Sequence, residues 1–448
     1  MVGWACSKRD IFFLLLIFVG AFCVRFLFFK AFLQHNPIQL AYDSGHYHTI
    51  ACSMVQGNGI SNPDGSPHFY RLPGYPLFLA ACYWLCGGSV ERMLVMQQIL
   101  ASCIPLLVFV LFLQLFPGAY VGAWAAACVA AVHPGFLILS GLVMSETLFV
   151  FLLLAFLILF FISWSRPYVV SYVCGAGFLL GITSLVRPVG VWLLALCMMV
   201  LLCRPLCWRM RFFQELCFLG IWLIPVGGWV LRNFLHTGVF FLHTFSGPHL
   251  LNHGAVRVTA SAYHIPYAQA QRRVYDDLRA KKSLSREWEW SSAVERYALI
   301  CLIEHPWHAC KLCGVNIFKT IFSLYASELL CIDSGGALPS YDAPHSYQEK
   351  ILRFVAPSVH NKWIIPMIYG EIILQVLILL GAFGWCVMSV VNSRRMTSQL
   401  WSMFALSCIL ILLSCVCGFA RLRLPVEPFF IMLAMSFWSE RMHGKRVV

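Results

Sequence analysis

Five short stretches place ionisable side chains where an otherwise apolar chain has little physical reason to carry them. The first is "AYDSGHYH", in which Asp43 is the first acid after Asp10 and is flanked by His46 and His48. A carboxylate there can take a proton from an attacking hydroxyl, or it can be a solvated loop acid. Loop histidines such as His46 can serve as ligands, or as plain surface and packing residues. The second is "RLPGYPLFLA", where Pro73 and Pro76 stiffen the chain and Gly74 permits close backbone approach. Arg71 at its head offers a planar fork for a phosphate, or snorkels at an interface.

Glu146, in "HPGFLILSGLVMSETLF", is the only acid between Glu91 and Glu215. With Asp43 it can hold a divalent cation or divide acid and base roles; alone it is a helix-start carboxylate beside Ser145. Arg187 joins two apolar runs in "SLVRPVG", either facing a partner or simply turning the chain. Arg421 and Arg423 stand two apart in "GFARLRLPVEPFF". In an extended segment that spacing points both the same way, toward a phosphate or diphosphate. Their other reading is an ion-paired turn with Glu427.

These residues must be positioned by membrane helices. The chain has 448 residues, is 60% hydrophobic and 11% charged, and has a mean hydropathy of +0.77. That leaves too little polar surface for a soluble globule, so the expected class is an all-α polytopic membrane protein. The net charge of +13 is scattered at the ends of apolar runs rather than gathered in a patch. That pattern fits cytoplasmic loops and anionic lipid, not nucleic acid. The 20 cysteines lie mostly inside apolar runs and behave as small hydrophobes. Cys310 and Cys313, with His305 and His308 nearby, are the one pair at CxxC spacing, and no second ligand pair follows at finger spacing.

A span needs ~20 apolar residues. The candidates are 11–33, 91–116, 119–134, 147–164, 168–186, 189–203, 214–231, 363–391, 400–420 and 427–439, so roughly 10–11 transmembrane helices are expected. The first reads as a retained membrane helix rather than a signal peptide, with Arg25 and Lys30 snorkelling to the far interface. Segment 76–88 reads as a helix at the membrane surface. Basic clusters at Lys8–Arg9, Arg166, Arg204 to Arg211, Arg394–Arg395 and Arg441 to Arg446 all count to the cytoplasmic side. The opposite face receives the first outer loop, 34–90, and a polar segment, 232–362, expected to hold interfacial helices and a loop at 334–350. Three regions follow: a membrane module 1–231 that includes the first loop, the outer region 232–362, and C-terminal helices 363–448.

The ordered segments "YDSGHYHTIA", "GNGIS", "RLPGYPLFLA", "HPGFLILSGLVMSETLFVFLLL", "GFLLGITSLVRPVG", "VGGWVLRNFLHTGVFFLHTFSGPHLLNHG" and "RLRLPVEPFFIMLA" resemble the integral-membrane glycosyltransferases of the C-type superfamily. The nearest branches are the bacterial relatives of protein O-mannosyltransferases and of the lipid A aminoarabinose transferase. The resemblance covers nearly the whole chain and is weakest across 255–362. It implies inverting transfer of a sugar from a polyprenyl-phosphate carrier to an acceptor outside the cytoplasmic (inner) membrane. Asp43 would be the general base, Arg421 or Arg423 and Arg71 would hold the donor phosphate, and Glu146 would bind a metal or the acceptor. Many relatives carry two adjacent acids in the first loop. Here Ser44 follows Asp43, so a second carboxylate comes from Glu146 or is dispensable. The absence of a GxGxxG or P-loop fits a donor that is not a nucleotide sugar. The competing class is a lipid or solute transporter, which would place its charges nearer the bilayer midplane.

Overall fold

A computed structural model describes residues 8–33, 43–281, 286–333, 363–391 and 397–443. The loop expected at 334–350 and the basic pairs Arg394–Arg395 and Lys445–Arg446 lie outside these residues. Every described element is helical apart from one isolated bridge, Ser61 to Pro67. In chain order the helices are α1 Lys8–Phe28, α2 Asp43–Val55, α3 Gly74–Cys86, α4 Val90–Ser102, α5 Ile104–Leu115, α6 Tyr120–Val132, α7 Pro134–Ser140, α8 Glu146–Ser165, α9 Val170–Val186, α10 Val189–Leu202 and α11 Trp208–Thr237. There follow α12 Ser246–Leu250, α13 Val256–Ala262, α14 Tyr267–Lys281, α15 Glu287–Glu304, α16 Pro306–Phe322, α17 Ala326–Asp333, α18 Ile364–Val391, α19 Ser398–Leu412 and α20 Glu427–His443.

The expected apolar runs are helical, except that 91–116 breaks at Cys103 and 400–420 leaves its helix after Leu412, and the protein is a multi-pass membrane protein. Among the described residues, 5 helices are long and apolar enough to cross a bilayer: Lys8–Leu33, Val90–Leu115, Glu146–Ser165, Trp208–Thr237 and Ile364–Val391. The pair α6 and α7, bent by 43°, makes a sixth if it is one span. The other expected spans are shorter helices. Pro134 explains the bend, because a proline drives its predecessor out of the helical region, and His133 has φ −61° and ψ 127°.

That break corrects one expectation. Arg25 does not snorkel; it is buried, and its Nη1 donates to the carbonyls of Ala21 at 3.0 Å and Ala131 at 2.9 Å. The bend leaves the last carbonyls of α6 without helical donors, and a guanidinium satisfies them at lower cost than leaving them bare. Lys30 is exposed and lies over the Phe26 ring.

The first loop packs back on the bundle. The expected helix at 76–88 is α3, Gly74–Cys86. Its first residue, Gly74, sits where a Cβ would be 2.7 Å from the Leu185 carbonyl oxygen, so the start of α3 is pressed on the end of α9. Arg232, near the end of α11, donates to the carbonyls of His68 at 2.9 Å and Ile60 at 3.0 Å and ties the loop down. Helices α12 to α15 carry a hydrophobic core of their own, built on Leu251, Val256, Val274 and Val294. The polar region between α11 and α16 therefore holds helices with an apolar centre rather than a loose strap.

Candidate active site

Asp43 is the first residue of α2, and Arg71 lies in the turn that leads into α3. Arg71 Nη2 is 2.5 Å from Asp43 Oδ1. Its guanidinium is enclosed by the rings of Phe245 at 4.7 Å, Tyr70 at 5.1 Å and Tyr47 at 5.3 Å. The backbone behind it is fixed as well. Asn62 Oδ1 lies 2.6 Å from His68 Nδ1, which assigns the ring proton to Nδ1 and leaves Nε2 to accept from the Arg71 N–H at 2.9 Å. Burial, with help from His46, Arg71 and Arg232, pushes His68 down to about 4, so this neutral tautomer persists at physiological pH.

Arg421 approaches the same carboxylate from the far end of the chain, with Nη1 3.5 Å from Asp43 Oδ2. Glu146 opens α8 and pairs with Arg187, whose Nη1 is 2.6 Å from Oε1. Ser145 does not cap α8; its hydroxyl instead lies 3.5 Å from Arg187 Nη1. A cavity of about 120 Å³ is lined by Asp43, Arg71, Glu146, Arg187 and Arg421 together. Three guanidiniums thus face two carboxylates in one small space. Burial works to raise the Asp43 pKa, but Arg71 and then Arg421 outweigh it and hold the carboxyl below its ordinary value. The group is a carboxylate at any physiological pH.

Three expected site residues are not brought here. Arg423 and Glu427 are fully buried. Arg423 Nε donates to Glu427 Oε1, while Nη1 donates to the carbonyls of Thr320 at 2.9 Å and Ser323 at 3.0 Å, where α16 ends. Tyr325 Oη donates to Glu427 at 3.1 Å, and His133 Nε2 lies 3.7 Å from it. The expectation that Arg421 and Arg423 point the same way fails for a local reason. Residues Ala420–Leu422 form a 3-10 turn, not an extended stretch. At ~120° per residue, positions two apart diverge. His46 is also outside the cavity, exposed, with its ring 5.8 Å from that of Tyr70.

Three residues at the cavity were missed from the sequence, although the four-residue spacing of His249 and His253 could have marked two of them. Ligand atoms of His249, His253 and Cys417 lie within 4.8 Å of one another. Burial pushes His249 to about 3 and His253 to about 4, so both rings are neutral. By contrast, a cation shared by Asp43 and Glu146 would have to displace arginines from both. Cys310 is exposed, and Cys310 and Cys313 form no three-donor group with His305 and His308 among the described residues. A larger cavity, about 330 Å³, lies among α13 to α15 beside Tyr263, Arg273, Trp290 and Tyr297.

No protein-family model and no curated protein matches the sequence. Solved structures do match. The archaeal oligosaccharyltransferase AglB from Archaeoglobus fulgidus, in complex with an inhibitory peptide and a dolichol-phosphate, aligns over 98% of this chain and 52% of its own, with 12% identity and a TM-score of 0.52. The apo form of the Archaeoglobus fulgidus enzyme gives 13% identity, 98% and 52% coverage and a TM-score of 0.53. ArnT from Cupriavidus metallidurans bound to undecaprenyl phosphate matches more loosely, with 15% identity over 93% of this chain and 77% of its own and a TM-score of 0.43. The chain spans about half the length of the oligosaccharyltransferase chains it matches. The chain shares the all-helical membrane fold of the Archaeoglobus fulgidus oligosaccharyltransferase over nearly its whole length.

Proposed function

We propose that the protein transfers a sugar from a polyprenyl-phosphate donor to an acceptor hydroxyl on the outer side of the cytoplasmic membrane, with inversion and with Asp43 as general base. The observation that carries this reading is the meeting of Asp43 with Arg71 and Arg421, residues 28 and 378 positions along the chain from it, in one cavity. A base and a phosphate-binding guanidinium are what the reaction needs on opposite sides of the sugar carbon.

In this reading the acceptor O–H gives its proton to Asp43 as its oxygen bonds to the anomeric carbon. The carbon–oxygen bond to the carrier phosphate breaks, and its electron pair leaves with the phosphate. A carboxylate gripped by two arginines is a poor base, since the efficient pKa lies nearer the working pH. The donor phosphate relieves that. Arg421 is the looser of the two partners at 3.5 Å, and a phosphate competing for it frees Asp43 to accept a proton. Arg187 and Glu146 hold the adjacent wall. The dolichol-phosphate in the AglB complex supports a lipid-linked phosphate as donor. The acceptor class, whether lipid A, another glycan or a protein hydroxyl, is left open.

The test is a transfer assay in proteoliposomes with an undecaprenyl-phosphate-linked sugar and lipid A or a hydroxyl peptide as acceptor. Asp43→Asn should lose transfer by ~10²–10⁴-fold with wild-type detergent elution and only the small drop in melting that follows from losing its ion pairs. Near-wild-type transfer in that variant removes Asp43 from the base role. Translocation of the lipid with no new glycosidic product favours the transporter reading.

A further inference from the structure

We propose that His249, His253 and Cys417 form a transition-metal site of the zinc class, built into the wall of the cavity that holds Asp43. Nothing in the transfer chemistry above uses these side chains, and the inference does not depend on that chemistry.

The ligand types come first. Two imidazoles and one thiol are a donor set for zinc, with three protein ligands and a fourth position for water or an anion. Their spacing is next. His249 and His253 are four apart, the interval that places two side chains on one helical face. Their rings lie 4.7 Å apart. Cys417 comes from a loop 168 residues away from His249, and its Sγ is 2.8 Å from His249 Nε2. All three donor atoms fall within 4.8 Å, and donors held at 2.0–2.3 Å from a tetrahedral zinc are about 3.5 Å apart. Binding would need side-chain rotations that part Cys417 Sγ from His249 Nε2 and draw the third donor in.

Two features of the backbone hold this arrangement. Residues Leu251–Ala255 form a π-helical turn, so His253 sits on an interrupted helix, a local distortion common where helices carry ligands. On the other side, Gly418 has φ +68° and lies against Asn316, where a Cβ would be 2.8 Å from Asn316 Cα. Asn316 Nδ2 donates to the carbonyls of Cys415 at 2.7 Å and Val416 at 2.9 Å. The turn that presents Cys417 is therefore anchored on α16 and cannot move off freely. A simple S–H to imidazole hydrogen bond would need neither the second histidine nor this anchoring.

The surrounding charges bear on what such a centre would do. Arg257 and Arg421 act on the cluster, and so does the opposite charge of Asp43. A zinc ion with one thiolate carries a net single positive charge. Beside Arg257 and Arg421 it would add to a cationic wall of the cavity that His249 and Cys417 both line. A role in holding a donor phosphate rests on the proposed transfer, whereas the metal site itself does not.

The experiment is metal analysis of the full-length protein, purified in detergent through a tag without histidines. About one zinc per chain is expected in the wild type, falling at least ~10-fold in Cys417→Ser and in His253→Ala. Cobalt exchange should give a thiolate charge-transfer band that disappears in Cys417→Ser. The half-exposed His253 provides the second variant should Cys417→Ser fail to fold, and Cys310→Ser/Cys313→Ser should keep the metal. A wild type that holds neither zinc nor cobalt overturns the proposal, as does metal that survives both substitutions. Because the readout is metal content and a spectrum, its failure is distinct from a failure of transfer.

Discussion

Arg421 and Arg423 are separated by one leucine and end in opposite environments. Arg421 reaches a cavity and shares Asp43 with Arg71. Arg423 turns into the protein and joins Glu427, Tyr325 and the end of α16. Both clusters pair guanidinium with carboxylate, yet they differ in what remains available. In the buried cluster Glu371 caps the start of α17, accepting from the N–H of Tyr325 at 2.5 Å and of Ala326 at 2.8 Å. Glu371 is thus spent on backbone groups, and Oε1 of Glu427 on Arg423 and Tyr325. In the cavity cluster three arginines meet two acids and one ion pair is long. The contrast separates a charge that fastens helices together from a charge that can change partners.

Substitutions at the two arginines test that contrast directly. Arg423→Ala should act through stability. Removing one member of a buried pair leaves the other unpaired, at ~3–5 kcal/mol. The expected outcome is a large drop in the melting transition and poor recovery of monodisperse protein. A stable Arg423→Ala variant with a selective donor defect would move this residue back to the site. Arg421→Ala should do the reverse: melting lowered far less than in Arg423→Ala, because this pair is long and partly exposed, with transfer down by ~10²–10³-fold as a phosphate-stabilising donor is lost. If Arg421→Ala melts as low as Arg423→Ala, the distinction between the clusters is wrong.

The smallest effect concerns pH. The native pKa of Asp43 is depressed because Arg71 and Arg421 overcome burial. Ion pairing therefore stabilises the folded protein above the ordinary carboxylate pKa, and the contribution is lost as pH falls through the depressed value. Transfer that needs the carboxylate should follow the same acid limb. Arg71→Gln should move that limb to higher pH in a pH–rate profile. An unmoved limb would mean that another group sets it.

Much of this was readable beforehand because charge is costly in an apolar sequence, and the few residues that bear it stand out. Asp43, Arg71, Glu146, Arg187 and Arg421 were each marked that way, and all five line one cavity. What the residue types do not reveal is direction. Whether Arg423 follows Arg421 depends on a 3-10 turn of three residues. Whether Arg25 reaches lipid headgroups or protein carbonyls depends on a helix break at Pro134, over a hundred positions away. His249, His253 and Cys417 were missed for the same reason. Their types are unremarkable among 15 histidines and 20 cysteines, and only the π turn and the Asn316 contact bring them together.

The contact at Gly74 has a consequence for the mouth of the cavity. This residue lies three positions after Arg71, and its neighbour Leu185 lies two before Arg187. The turns bearing these two guanidiniums are thus held apart by a gap with no thickness to spare. A methyl group inserted there works as a shim. It would spread the two cationic arms without touching either charge, and alanine, then serine, would grade the opening in fixed steps. The spacing of Arg71 and Arg187 around Asp43 is in this sense gauged by a hydrogen atom on a residue that lines no part of the cavity.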